Sequence, residues 1–143
     1  MRLLVGHDDT VAGWVGNKFG EAFIPPFLAL GIIDKTGLLR GGLVIRPCNT
    51  STCDLTVYSE GAITPGIWRK LWQVIFLDLN FARCVVQTHK KNKPLKQVIP
   101  KLGFKFEGVA KNFYGVGHDA LQFSMTPDIC RWLRARGEHG SRR

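Results

Sequence analysis

The residues best suited to chemistry lie between Asp54 and Lys70. Asp54-Leu-Thr-Val-Tyr58 alternates polar and apolar residues as a half-buried strand does, and Ser59-Glu-Gly-Ala-Ile-Thr-Pro-Gly66 then turns into a helix. Thr64 stands where an N-cap belongs, and Pro65 takes the first helical position, where proline is tolerated. A helix that starts at a strand end presents backbone N–H groups without partners. Those donors and the helix dipole both favour negative charge, so the junction suits a phosphate, with Arg69 and Lys70 as nearby cations. Asp54, Tyr58 and Glu60 place ionisable groups on the strand and its end.

Stepping outward, the helix from Pro65 to about Asn80 carries two adjacent apolar stripes. Ile67, Leu71, Val74 and Ile75 form one, and Trp68, Trp72, Phe76 and Leu79 the other. So wide an apolar face packs deeply against a sheet. Arg83 to Thr88 reads as a buried strand, and His89-Lys-Lys-Asn92 leads to a short helix from about Lys93 to Leu102, with Pro100 tightening its last turn and Gly103 stopping it. Before this block come a short edge strand at Leu3 to Val5, a helix capped by Asp8 or Asp9, a loop from Glu21 to Phe27, and a hairpin of Leu28–Asp34 with Leu38–Ile45. Gly41-Gly42 inside that hairpin implies a bulge or a close neighbour. After it come strands over Lys105–Phe113 and Ala120–Met125, a short helix from Asp128 to about Arg136, and a basic tail from Gly137 to Arg143. The expected organisation is one α/β domain over residues 1–136 followed by that tail.

A strand, an asparagine opening the next helix, and a closing Leu102-Gly-Phe104 followed by Glu107-Gly108 resemble the GNAT superfamily of acyl-CoA N-acyltransferases. The likeness extends from about Leu28 to Leu133. It is nearest the branch containing the ribosomal-protein N-terminal acetyltransferases and small GNAT-like proteins of phages and prophages. The resemblance implies a mostly antiparallel, splayed sheet flanked by helices, with acetyl-CoA as co-substrate and its pyrophosphate on the helix that starts at Pro65. It implies cofactor-binding roles for Thr64, Gly66, Ile67, Trp68, Arg69, Lys70 and Asn92. Aligned on Gly66, the family's phosphate loop reads Ile63-Thr-Pro-Gly66-Ile-Trp68 here and keeps one of its three defining residues, with the bulk of Trp68 where the family keeps none. Ile99 stands where many members carry a tyrosine acid. Asn92 fits a cofactor contact or a plain helix cap, and Lys90, Lys91 and Lys93 fit the ribose phosphate or a solvated face.

Acyl transfer to an amine needs a base for the ammonium and a donor for the thioester carbonyl. Glu60 is the base expected by position, Tyr58 and Asp54 come next, and His118 and Tyr114 lie in the loop expected over the acceptor cleft. Asp119 fits a structural hydrogen bond or a substrate contact, and Phe19, Phe23 and Phe27 fit an acceptor pocket or the core. The acceptor is a protein N-terminus, a lysine or a small-molecule amine. The rival reading is a catalytically degenerate GNAT-like protein that serves as a binding or structural component, with a protein partner or a phage particle as its setting.

A chain of 143 residues with 45% hydrophobic content suits one folded domain. No run approaches the roughly 18 apolar residues of a membrane span, and Met1 to Val5 is too short for a signal peptide, so a cytoplasmic protein, or one in a virion, is expected. A net charge of +9 predicts attraction to polyanions, although no nucleic-acid-binding module is present to use it. The four cysteines read as free thiols, Cys84 and Cys130 among them in apolar patterns, and no spacing of cysteines and histidines reads as a metal site.

Overall fold

The computed structural model describes residues 1–133. Two compact units divide the chain, Met1–Leu71 and Trp72 onward. Within each, the paired strands run antiparallel and helices flank them, the mixed α/β architecture that the order of patterns predicts. No helix among the described residues is long and apolar enough to cross a membrane.

In the first unit, β1 (Arg2–Leu4), β2 (Leu28–Ile33), β3 (Leu39–Pro47) and β4 (Thr52–Ser59) pair in sequence order. Helix α1 (Asp8–Phe19) buries Val11, Ala12 and Val15 against Ala29 and Val44, with Trp14, Phe23, Phe27 and Tyr58 packed around them. The cross-strand pair Gly31↔Gly42 permits this approach, because a Cβ at Gly42 would run into the Val15 side chain. By the alternation of a strand, Leu30, Ile32, Leu43 and Ile45 face the other way, and all four are buried. The bulge foreshadowed by Gly41-Gly42 falls at Arg40, since Ile32 pairs with Gly41 and Ile33 with Leu39. An extra residue re-aims its side chain, and here the Arg40 guanidinium reaches Asp34 and Glu60.

In the second unit, β5 (Arg83–His89) pairs with β7 (Ala120–Met125), which pairs with β6 (Lys105–Ala110). Trp72 stacks on Phe76 and meets Phe104 edge-on, both at 5.5 Å between centroids. Helix α3 (Lys93–Lys101) ends on tight bonds from the Leu102 and Gly103 amides, as Pro100 and Gly103 predict. Its terminal carbonyls also accept from Arg131 Nη2 (to Lys101) and Trp132 Nε1 (to Leu102). A second bulge, at Glu107, turns that carboxylate onto Arg83 in a two-pronged pair, with Gln122 Nε2 adding a bond at 3.1 Å.

Several expectations are corrected. Neither Asp8 nor Asp9 caps α1; His7 holds that position without a side-chain bond, and Asp8 Oδ1 accepts the Ala29 N–H instead. Helix α2 (Pro65–Trp72) gives way to a π-helical segment, Gln73–Asp78, with the Leu79 N–H reaching back to Val74 O. A π turn is wider than the 3.6-residue turn assumed for the apolar stripes, so Leu79 lies exposed while Ile75 and Phe76 are buried. Strand β6 stops at Ala110, short of Phe113, because Asn112 adopts a left-handed φ of 59° and its N–H donates to Asp119 Oδ1 at 2.8 Å. In place of a helix from Asp128, two 3₁₀ turns cover Pro127–Ile129 and Arg131–Leu133; the rest of that helix and the basic tail lie outside the described residues.

Candidate active site

The start of α2 is built by its own sequence. Ser59 Oγ donates to Gly61 O at 2.7 Å and holds the turn that follows β4. Thr64 caps the helix, its backbone carbonyl accepting from the Ile67 and Trp68 amides at 3.1 Å each and its Oγ1 from Ile67 at 3.3 Å. Pro65 has no N–H. The amides of Ala62, Ile63, Thr64 and Gly66 donate to nothing among the described residues. The site therefore keeps a run of backbone donors before and inside the first turn, while Ile67 and Trp68, expected to share in it, have their amides taken by the cap. Gly66 carries no left-handed φ, and a Cβ there would meet only Thr64 Oγ1 at 4.0 Å. Gly61 is likewise open, so the fold requires glycine at neither position. Trp68 is 7% exposed, which turns its indole inward and removes the expected obstruction of the amide run. Arg69 and Lys70 are exposed and make no ion pair among the described residues.

Glu60, just before this run, has each carboxylate oxygen engaged, Oε1 by Arg40 Nη1 at 3.4 Å and Oε2 by Lys18 Nζ at 3.7 Å. Asp34 holds Arg40 from the other side at 2.8 Å, and its own carboxyl is kept well below the usual carboxylate range by the Thr36 hydroxyl first and Arg40 second. Tyr58 lies among Trp14 and Phe19, at 5.6 and 6.0 Å. Asp54 is paired with Arg46 at 2.6 Å, and Arg46 in turn stacks over Phe23. Phe23 and Phe27 thus pack on the core, whereas Phe19 is half exposed.

The second unit has a separate polar cluster. Register pairs His89 with Ala120, which carries His118 to His89, their Nε2 and Nδ1 3.1 Å apart. Tyr114 stacks on His89 at 5.6 Å. Beside them a groove of about 430 Å³ is lined by Lys90, Lys91, Lys93 and Lys96 with His89 and Asp119. None of these lysines makes an ion pair among the described residues, and Asp119 is occupied with the Asn112 N–H. Asn92 is a helix cap, its Oδ1 accepting from Leu95 N–H at 3.3 Å. Burial pushes the Cys130 thiol up.

Glu60 and Tyr58 thus stand together with the amide run in the first unit, and His118 belongs to the second. Lys18, Trp14 and Arg40 went unseen as site residues. Trp14 and Lys18 are four apart on α1, a spacing that puts them on one face, but their partners on β4 are set by tertiary structure.

No protein-family model matches the chain, and no curated protein matches it. Solved structures do. A mutant form of the spermidine N-acetyltransferase SpeG from Vibrio cholerae superposes with a TM-score of 0.74 at 12% identity, covering 94% of this chain and 98% of that one. A GCN5-related N-acetyltransferase from Brucella melitensis gives 0.58 at 22% identity, covering 70% of this chain and 51% of that one. The chain spans about half the length of the Brucella protein. At such identities the likeness is one of architecture, and with the antiparallel pairing and the strand–amide run–helix junction it establishes that this chain has the GNAT fold.

Proposed function

We propose that this protein is an N-acetyltransferase that moves an acetyl group from acetyl-CoA to a primary amine. The observation that carries the reading is the run of undonated amides from Ala62 to Gly66, beside two glycines that the fold does not need. Backbone donors at a helix start, with no side chain in the way, fit a pyrophosphate, and Arg69 and Lys70 add positive potential. Acetyl-CoA supplies the acyl group as an activated thioester. The chain's residues bind the anion, orient the amine and accept its proton. Glu60 is the proton acceptor in this reading, with Tyr58 shaping the amine's surroundings. His118, hydrogen-bonded to His89, is the alternative proton carrier. The lysine groove of the second unit fits a phosphate by its charge. The nearness to the ribosomal-protein and phage branches, carried by Asn92 and Leu102-Gly-Phe104, belongs to the same reading.

The test is calorimetry with acetyl-CoA on the intact protein, its Gly66→Ala variant and its Gly66→Glu variant. Affinity near micromolar, on the order of −8 kcal/mol, is expected for the first two. The added carboxylate of Gly66→Glu should weaken it at least about a hundredfold. No binding at millimolar acetyl-CoA would overturn the reading and leave the fold as a binding scaffold.

A further inference from the structure

In the first unit one exposed lysine lays its ammonium against two aromatic rings and a carboxylate. Lys18 Nζ stands 4.7 Å from the Trp14 ring centroid, 5.5 Å from that of Tyr58 and 3.7 Å from Glu60 Oε2. The Trp14 and Tyr58 rings meet edge to face at 69°, and Phe19 closes on Tyr58 at 90°. Two aromatic rings and a carboxylate around one cation form the kind of cage that recognises amines. Helix spacing supplies only the Trp14 contact. The other two come from the end of β4. Glu60 does not need Lys18 as a counter-charge, because Arg40, fixed by its bulge and by Asp34, already serves it.

We infer that Trp14, Tyr58 and Glu60 form the acceptor-amine subsite, that its ligand is a lysine-type primary alkylammonium, and that Lys18 occupies it in cis. The acceptor role rests on the acetyltransferase reading; the ammonium site stands on its own geometry. A tethered lysine competes at an effective concentration on the order of millimolar or above, so an external lysine must displace it. With an acyl thioester bound, Lys18 is also the first amine in place. Glu60 takes one proton from the ammonium, and the nitrogen attacks the acyl carbon. The C–N bond forms as the C–S bond breaks, and the second nitrogen proton goes to the departing thiolate. The resulting amide is neutral, loses its attraction to the rings and to Glu60, and leaves the cage open.

The closing experiment titrates Nα-acetyl-lysine methylamide, without any acyl donor, into the intact protein and its Lys18→Ala, Lys18→Arg and Trp14→Ala/Lys18→Ala variants, followed by tryptophan side-chain resonances. Lys18→Ala should bind at least about tenfold tighter than the intact protein. Lys18→Arg keeps a cation in the cage and should stay blocked, and the double variant should lose the gain. Equal affinity in the intact protein and Lys18→Ala, with both folded by circular dichroism, would overturn the cage. Mass spectrometry after incubation with acetyl-CoA then tests the acceptor role. Lys18 should be acetylated ahead of the other lysines, and Glu60→Gln should suppress this. Modification of Lys18 no faster than the rest would overturn that role. Failure of acetyl-CoA to bind at all would instead sink the acetyltransferase reading while leaving the amine titration intact.

Discussion

Two helices in this chain begin just beyond strand ends, and they carry positive potential by opposite means. At the start of α2 the amides of Ala62, Ile63, Thr64 and Gly66 donate to nothing among the described residues and the first turn carries no charged side chain, the cations Arg69 and Lys70 coming in the last turn. At the start of α3 the amides are spent. Lys93 N–H donates to Lys91 O, Pro94 has none, Leu95 donates to Asn92 Oδ1 and Lys96 to Asn92 O. The positive charge there is carried by four lysine side chains. Amides are short-range and directional, so an anion at α2 would be selected by shape; lysines act over a longer range that salt shortens, so one at α3 would be selected by charge. The two helix starts therefore differ in what they offer an anion, and the cap decides which amides remain available.

Breaking each region in turn should separate them. The largest effect expected at α3 is from Lys91→Glu with Lys96→Glu. Made in the Gly66→Glu background, which blocks the α2 donors, the double change should lower affinity for inorganic pyrophosphate about a hundredfold by calorimetry at low ionic strength. At about 1 M salt the difference from the Gly66→Glu parent should almost vanish. Gly66→Glu should keep more of its effect on acetyl-CoA in salt, because its carboxylate would lie in contact range of the bound anion, where screening is weaker than across the open lysine groove. Smaller effects are expected from the two caps. Thr64→Ala and Asn92→Ala should each cost about 1 kcal/mol in chemical denaturation. Asn92→Ala should leave acetyl-CoA affinity unchanged if the cap is its whole role; a tenfold loss would restore a contact with the cofactor.

The strand, turn and helix start from Asp54 to Gly66 were legible because their causes are local: alternation, a threonine cap, a proline at the first helical position. The same holds for the Asn92 cap and the Gly103 stop. What stayed hidden depends on contacts between distant segments. His89 and His118 look scattered until the β5–β7 register aligns His89 with Ala120. Lys18 shows in the sequence only its helical spacing from Trp14, and it is β4 that brings Tyr58 and Glu60 to it. Gly41-Gly42 announced one bulge, but Gly108 was read only as part of a family pattern and the bulge at Glu107 was missed. The π-helical segment leaves no mark in a pattern of period 3.6, so Leu79 was assigned to the wrong face.

The two bulges offer the smallest and sharpest contrast. Arg40 in the first unit and Glu107 in the second are each turned aside by an extra residue and locked by an opposite charge. Glu107 is the less exposed ion pair's acid, and the Arg83 bond first, then those of Gln122 and Ser124, bring its carboxyl down from 4.5 to about 2. A lowered carboxyl stabilises the fold fully above its unfolded value and loses that contribution as pH falls through the folded one. The window therefore runs from about pH 4.5 down to about 2. Glu107→Gln should be less stable than the intact protein at neutral pH by on the order of 1 kcal/mol, given the partial exposure of the pair. That gap should close across the same window in denaturation curves taken at falling pH. A gap that stays constant would mean that the pair is held by packing and hydrogen bonds alone, and the second bulge would then owe nothing to charge.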